Sequence, residues 1–274
     1  MTKLTHLEPS ELGTKEYWDN LYTTEITNHT HNPSDTGTVW FDDSDAETKL
    51  IDFLSNPDQP ATISLSQRTT TFLDLGTGNG SLLFGLRDAG WTGRMLGVDY
   101  SQQSIQFARR LAQSRSSPPS STSSPDSSSS HSLDDNDAQN IYFLEHDILH
   151  TSPTELLLDE QSQGWDVVLD KGTFDAISLS SETVAGTDRR VVESYRSKIT
   201  PLVREGGLFL VTSCNWTEAE LRGWFEGPAK EEDDEETRKW RFEEVGRVEY
   251  PSFSFGGVKG QTISSLCFRK VRNT

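Results

Sequence analysis

Four short stretches carry residues whose types and spacing suit ligand chemistry. The first is Gly76-x-Gly78-x-Gly80, within FLDLGTGNG at 72–80. Glycine takes dihedrals closed to other residues and lets a ligand come against the backbone. A strand that runs into such a turn and then into a helix sets backbone N–H groups and a helix N-terminus beside one spot. The dinucleotide fingerprint wants its third small residue one position later, where this chain has Ser81. No Gly-Lys-Ser/Thr follows, which excludes a P-loop. Alone, the turn says that backbone approaches something, or that the chain simply turns tightly.

The second stretch narrows the ligand. Asp99 closes the next strand, 19 residues after Gly80. A carboxylate there accepts two hydrogen bonds from a ribose diol, which points to a nucleoside derivative. Its competing role is to favour the N-terminus of the following helix. The third stretch is His146-Asp147-Ile148. Asp147 can accept from an exocyclic amine such as that of adenine while Ile148 packs on the ring; an ordinary turn aspartate is the competing reading. The fourth, LDKGTFDA at 169–176, follows the fourth strand at the carboxyl edge, where open α/β sheets bind ligands. Asp170 is the residue expected to face the reacting atom. Lys171 and Asp175 read as solvated or paired with each other.

The elements that must position these residues alternate. Strands are expected at 70–75, 94–100, 141–146, 165–170 and 207–213, with helices at 81–89, 101–113 and 188–203. The apolar centre of WDVVLD suits a strand buried on both faces. Strand, helix, strand, repeated, is the signature of a parallel sheet covered by crossover helices. Segments 242–250 and 262–271 have no helical pattern between them and are expected to pair as an antiparallel hairpin at one edge. Two helical segments, about 14–27 and 44–55, precede the sheet. The organisation expected is an N-terminal helical extension over 1–64, packed on the sheet, and a domain over 65–274. Residues 114–138, rich in Ser, Pro and Asp, have too little apolar surface to offset the entropy of ordering and read as a disordered insertion. The EEDDEE run at 231–236 reads as a solvated loop.

Composition restricts the function classes. The formal charge is −18, from 43 acidic and 25 basic residues, so broad binding to a phosphate backbone is disfavoured. A basic protein partner suits that sign, as does solubility alone. No run of 18 apolar residues occurs, so no membrane span is expected. The first 20 residues lack an apolar h-region and carry four acids, which argues against a signal or transit peptide. Cys214 and Cys267 form neither a metal-ligand spacing nor a disulfide framework, so no metal is expected and a reducing, cytoplasmic setting fits. A monomer is the default.

Together these stretches resemble the class I, seven-stranded S-adenosylmethionine-dependent methyltransferases. FLDLGTGNG is similar to that family's first motif, Asp99 to its ribose acid, HDI to its adenine-edge motif and the closing strands to its sixth and seventh, over roughly 65–271. A narrower resemblance joins YWDNLY (17–22), GTVWFDD (37–43), VLDKGTFDAISL (168–179), TSCNWT (212–217) and FGGVKGQTISSLCFRK (255–270) to the eukaryotic protein-lysine methyltransferases that act on translation elongation factor 1-alpha. The Ser-rich and acidic stretches depart from that pattern and touch none of its motifs.

The resemblance implies a Rossmann-like α/β sheet of seven strands, mostly parallel with an antiparallel C-terminal edge hairpin and helices on both faces. It implies S-adenosyl-L-methionine as cofactor and a lysine of elongation factor 1-alpha as acceptor. Gly76 and Gly78 then run under the cofactor's amino-acid end, and Asp74 helps hold its ammonium, directly or through water. Asp99 takes the ribose, Asp147 and Ile148 take the adenine, and Tyr100 packs on either. Trp40 or Phe41 walls the lysine channel or lids the cofactor, with core packing as the alternative. The acceptor amine must be neutral to attack, which at pH 7 costs about 4.6 kcal/mol from a reference pKa near 10.4. A nearby carboxylate favours the ammonium, so Asp170 is expected to orient the amine while water removes the proton. The competing activities are methylation of a small molecule and a cofactor-binding scaffold without turnover. A nucleic-acid base methyltransferase is weaker: DKGT stands where adenine chemistry usually has Asn/Asp-Pro-Pro-aromatic.

Overall fold

A computed structural model describes residues 6–116, 140–226, 235–255 and 258–273. The strands are β1 (Phe72–Leu75), β2 (Met95–Asp99), β3 (Ile141–Glu145), β4 (Trp165–Lys171), β5 (Val203–Ser213), β6 (Trp240–Val248), β7 (Ser252–Phe255), β8 (Val258–Gln261) and β9 (Ser264–Arg272). Seven of them form one sheet in the order β3-β2-β1-β4-β5-β9-β6. β1 to β5 are mutually parallel, and β9 runs antiparallel to both β5 and β6. The expected α/β architecture is therefore the observed one.

Period-2 alternation sorts the side chains into two layers. On one face Phe72, Met95, Val167 and Leu169 pack under α1 (Lys15–His31), α2 (Ala46–Ser55), α3 (Ser81–Asp88) and α4 (Gln102–Ser116). On the other, Leu73, Leu75, Val98, Val168 and Phe209 pack under α5 (Thr173–Ser178), α6 (Tyr195–Ile199) and α7 (Glu218–Phe225). The N-terminal segment belongs to the first layer: it supplies buried Trp18, Tyr22, Leu50, Phe53 and Leu54. The same alternation decides where the strand-end charges go. Asp170 shares the parity of Val168 and faces the α5–α7 layer, whereas Lys171 shares that of Leu169 and faces the N-terminal helices.

The C-terminal strands pair antiparallel at one edge as expected, with β9 inside and β6 outermost, and the connection adds a two-stranded ladder of β7 and β8 that was not foreseen. The helix expected over 188–203 is broken into a 3-10 turn (Val191–Ser194), α6 and a second 3-10 turn (Thr200–Leu202); Pro201 lacks the N–H that would carry α6 further. Three helices were not foreseen: α5, α7 and the short α8 (Glu235–Arg238). α5 is six residues long, but α7 had a legible start, a capping box between Thr217 and Glu220. Of the expected insertion, residues 114–116 finish α4 and the remainder lies outside the described residues. Most of the 231–236 run does too; Glu235 opens α8.

Candidate active site

The chain leaves β1 for β2 on one side and returns to place β4 on the other, so the loops after β1 and β4 part and leave a crevice. Register brings the ends level: Leu75 pairs with Asp170, and Asp99 with Glu145. The crevice holds a cavity of about 320 Å³. Gly76, Thr77, Gly78 and Asn79 line it from the first turn; Asp99, Tyr100 and residues 146–150 line one end; Lys171, Gly172 and Thr173 line the other. Its roof is the N-terminal segment, through Lys15, Trp18, Tyr22 and residues 38–40.

The glycine turn is held from several sides. Gly76 and Gly78 adopt φ of 62° and 58°, which favours glycine. A Cβ on Gly78 would lie 2.7 Å from the Tyr22 hydroxyl, so the backbone is bare where the roof meets it. The Gly78 N–H donates to Asp99 Oδ2 (3.1 Å), and the Ser104 hydroxyl donates to the Gly78 carbonyl (2.8 Å). Asn79 accepts from Ser81 N at the start of α3 and donates to the Thr36 carbonyl, which ties the roof to the turn. Asp74 stands behind this wall and is not part of it. It is 3 % exposed and accepts from the Thr77 hydroxyl at 2.7 Å. Burial lifts its carboxyl to about 7.

At the β2–β3 end, Asp99 also accepts from Ser101 N (2.9 Å), and burial raises its pKa above the usual carboxylate range. Tyr100 lies beside it with Lys15 Nζ 5.6 Å from its ring centroid, a cation–π contact. Asp147 heads its own turn: Oδ1 accepts from Leu149 N (2.9 Å) and His150 N (3.2 Å). Ile148 is 9 % exposed and faces the cavity. His150 was not foreseen. Its Nδ1 is 2.9 Å from Asp147 Oδ2 and its Nε2 is 2.8 Å from Glu182 Oε1. Two carboxylates on two ring nitrogens require both to carry a proton, since a neutral imidazole has one donor. The hydrogen bond that His150 donates to Asp147 leads in raising the His150 pKa. His150 and Glu182 are 32 residues apart, and no local pattern links them.

At the β4 end, the structure corrects the expectation for Asp170. The residue is 1 % exposed and turned away from the cavity. Its carboxylate accepts from Thr173 N (2.9 Å), Phe174 N (3.1 Å) and the Tyr195 hydroxyl, so it caps α5 from within the sheet. Burial pushes its pKa up to about 7 against those three donors. Lys171 and Asp175 do not pair with each other, because they too face opposite layers. Lys171 Nζ donates to the Trp40 carbonyl (3.2 Å) and lies 3.4 Å from Glu47 Oε1. Asp175 accepts from the Ser213 hydroxyl and from Cys214 N. Of the aromatic pair, Trp40 lines the cavity, and both its ring and that of Phe41 sit over Gly172, 3.4 Å from where a Cβ would be. Phe41 and Asp45 bound a tight turn with φ of 65° and 53°. Such non-glycine residues cost about 1–3 kcal/mol each and persist only where their surroundings hold them. Trp18 packs in the core as expected and also lines the cavity; Asn215 sits in the turn after β5. Tyr22 was not singled out, although it lies one helical turn from Trp18 on the same face.

Residues 66–117 match the methyltransferase domain family. Over 265 residues, 96 % of each chain, the sequence is 38 % identical to protein-lysine N-methyltransferase EFM4 of Saccharomyces cerevisiae. It is 31 % identical to human EEF1A lysine methyltransferase 2, over 96 % of this chain and 88 % of that one. The fold is similar to that of magnesium protoporphyrin IX methyltransferase from Synechocystis PCC 6803 with bound SAM, at a TM-score of 0.50 and 13 % identity, covering 92 % of this chain and 94 % of that one.

Two outcomes follow from this geometry. Asp170→Ala strips the buried acceptor from two backbone N–H groups and a hydroxyl; urea unfolding should register a loss of about 2–4 kcal/mol. The His150 bridge is complete below the ordinary histidine pKa and is lost as pH rises through the elevated folded value. An NMR titration should place the wild-type imidazole above its ordinary value, near 6.5, and Glu182→Gln should move it back down.

Proposed function

The chain belongs to the protein-lysine N-methyltransferase family, whose methyl donor is S-adenosylmethionine, and on that premise we propose that its acceptor is a lysine of translation elongation factor 1-alpha. The observation that carries this reading is near end-to-end likeness to relatives named for that reaction, together with the meeting of the VWF and DKG blocks at one end of the cavity. The residues present fit the donor. Gly76 and Gly78 line the cavity, Asp99 keeps lone pairs for a diol, and Val98 and Ile148 offer apolar surface for a base.

In this reading Asp99 holds the ribose, Tyr100 packs on the sugar or base, and Asp147 with Ile148 receives the adenine. Gly76 and Gly78 support the amino-acid end. Asp74 and Asp170 act from behind the wall: Asp74 fixes Thr77 and thereby the turn, and Asp170 fixes the start of α5. The nucleoside end lies by β2 and β3, so the reacting end lies toward β4, where Trp40 forms the wall the acceptor side chain passes. When bound, S-adenosylmethionine supplies an electrophilic methyl group on a sulfonium. The protein's task is to aim a neutral amine at it in line. Desolvation along the Trp40 wall lowers the cost of neutralising the lysine, and withdrawing Asp170 from the cavity avoids a carboxylate that would hold the ammonium. Water takes the proton, and the setting is the cytosol, where the elongation factor works.

Incubation with labelled S-adenosylmethionine and a cell lysate should label one protein of the elongation factor's size. Label in small molecules or RNA would replace this reading, and measurable donor binding without any label would leave a scaffold. Asp99→Ala should weaken donor binding in calorimetry by about 10–100-fold, the value of a lost charge-assisted hydrogen bond.

A further inference from the structure

Lys171 is a cation in the cavity wall that the reading above does not use. It is largely enclosed: its side chain is 13 % exposed and that of Glu47 is 18 % exposed. Its ammonium reaches two segments directly and a third through Glu47. It donates to the carbonyl of Trp40 at 3.2 Å and pairs with Glu47 on α2 at 3.4 Å. Glu47 Oε1 in turn accepts from the Ser81 hydroxyl, at the first residue of α3, at 2.6 Å. The Trp40 carbonyl sits at the entry to the turn that Phe41 and Asp45 close in left-handed conformations. That turn has its own hydrogen bonds, from Ser44 N and Ala46 N to the Phe41 carbonyl. Trp40's indole leans on Trp18, with ring centroids 4.9 Å apart, and Gly172 leaves room for both rings above β4.

We propose that Lys171 is a positioning residue that pins the Trp40–Asp45 turn over the β4 end of the cavity and so sets the passage through which the acceptor side chain enters. The ammonium acts on the backbone of Trp40, so the indole is placed by its main chain and not only by ring packing. The ion pair with Glu47 fixes the ammonium, and the Ser81 hydroxyl fixes Glu47. Asp170, Lys171 and Gly172 thereby serve three separate ends: one caps α5, one ties down the roof, and one makes space for the rings. The passage role rests on the proposed reading that the acceptor enters at this end; the pinning of the turn does not.

The test uses the intact protein and two variants, Lys171→Met and Lys171→Arg. Hydrogen exchange at the amides of Ser44, Asp45 and Ala46 should be about tenfold faster with Met, the factor that one lost charge-assisted bond implies, and close to wild type with Arg. Amides of β4 and α5 should not change, which separates release of the turn from general loosening. Donor affinity by calorimetry should stay at the wild-type value for both variants, while kcat/KM for the protein acceptor falls about tenfold with Met and recovers with Arg. Unchanged exchange at 44–46 with Met overturns the pinning. Faster exchange with a loss of donor affinity that matches the loss of turnover overturns the passage role and makes the turn a cofactor lid. Failure of the elongation-factor reading appears in the wild type before any variant is made, and leaves the exchange result standing.

Discussion

Loops at the carboxyl edge of a parallel sheet leave buried backbone N–H groups that neither strand nor helix can pair, and each needs an acceptor. In this protein the aspartate at or near the strand end provides it. Asp99 takes the amides of Gly78 and Ser101, Asp147 those of Leu149 and His150, Asp170 those of Thr173 and Phe174, and Asp175 that of Cys214. The shape of the crevice depends on these bonds. Asp99 couples the first turn to the start of α4 across two strands, so the floor and one end of the cavity are built as a unit. Such carboxylates cost desolvation, and Asp74 and Asp170 are lifted to about 7.

The same constraint separates acids that can still serve a ligand from acids that cannot. Asp99 and Asp147 meet the loops and also line the cavity. Asp170 spends its oxygens on α5 and Tyr195 in the opposite layer. For amine chemistry this division is favourable. A carboxylate beside the acceptor would stabilise its ammonium.

The N-terminal segment is part of the site and not an accessory to it. It packs in the same core layer as α3 and α4, and it roofs the cavity from above the glycine turn. Its attachments are polar and specific: Asn79 to the Thr36 carbonyl, Lys171 to the Trp40 carbonyl, and Glu47 to Ser81. Two of them reach the connection from β1 to α3 and one reaches the end of β4. A roof fastened this way can present its aromatic residues at defined positions over the strand ends.

Much of this was legible in the chain alone. Alternation of apolar strands and helices dictated the parallel sheet, because strands buried on two faces and amphipathic crossover helices leave distinct periodicities. The spacing of Gly76, Gly78 and Asp99 placed a glycine turn and a strand-end acid at one edge of the sheet, where both line the cavity, since turn, helix start and strand-end acid are local consequences of sequence. Even the turning of Asp170 away from the cavity lay in the parity of WDVVLDK, where it follows Val168 and not Leu169. The sequence could not reveal which distant residues meet. Lys171 finds Trp40 131 residues away, and His150 finds Glu182 across the cavity rim. Nor could it order β9 inside β6, since either order satisfies the same hydrophobic pattern. Those pairings are decided by how layers stack and which charges the stacking brings within reach, and only the tertiary structure contains that.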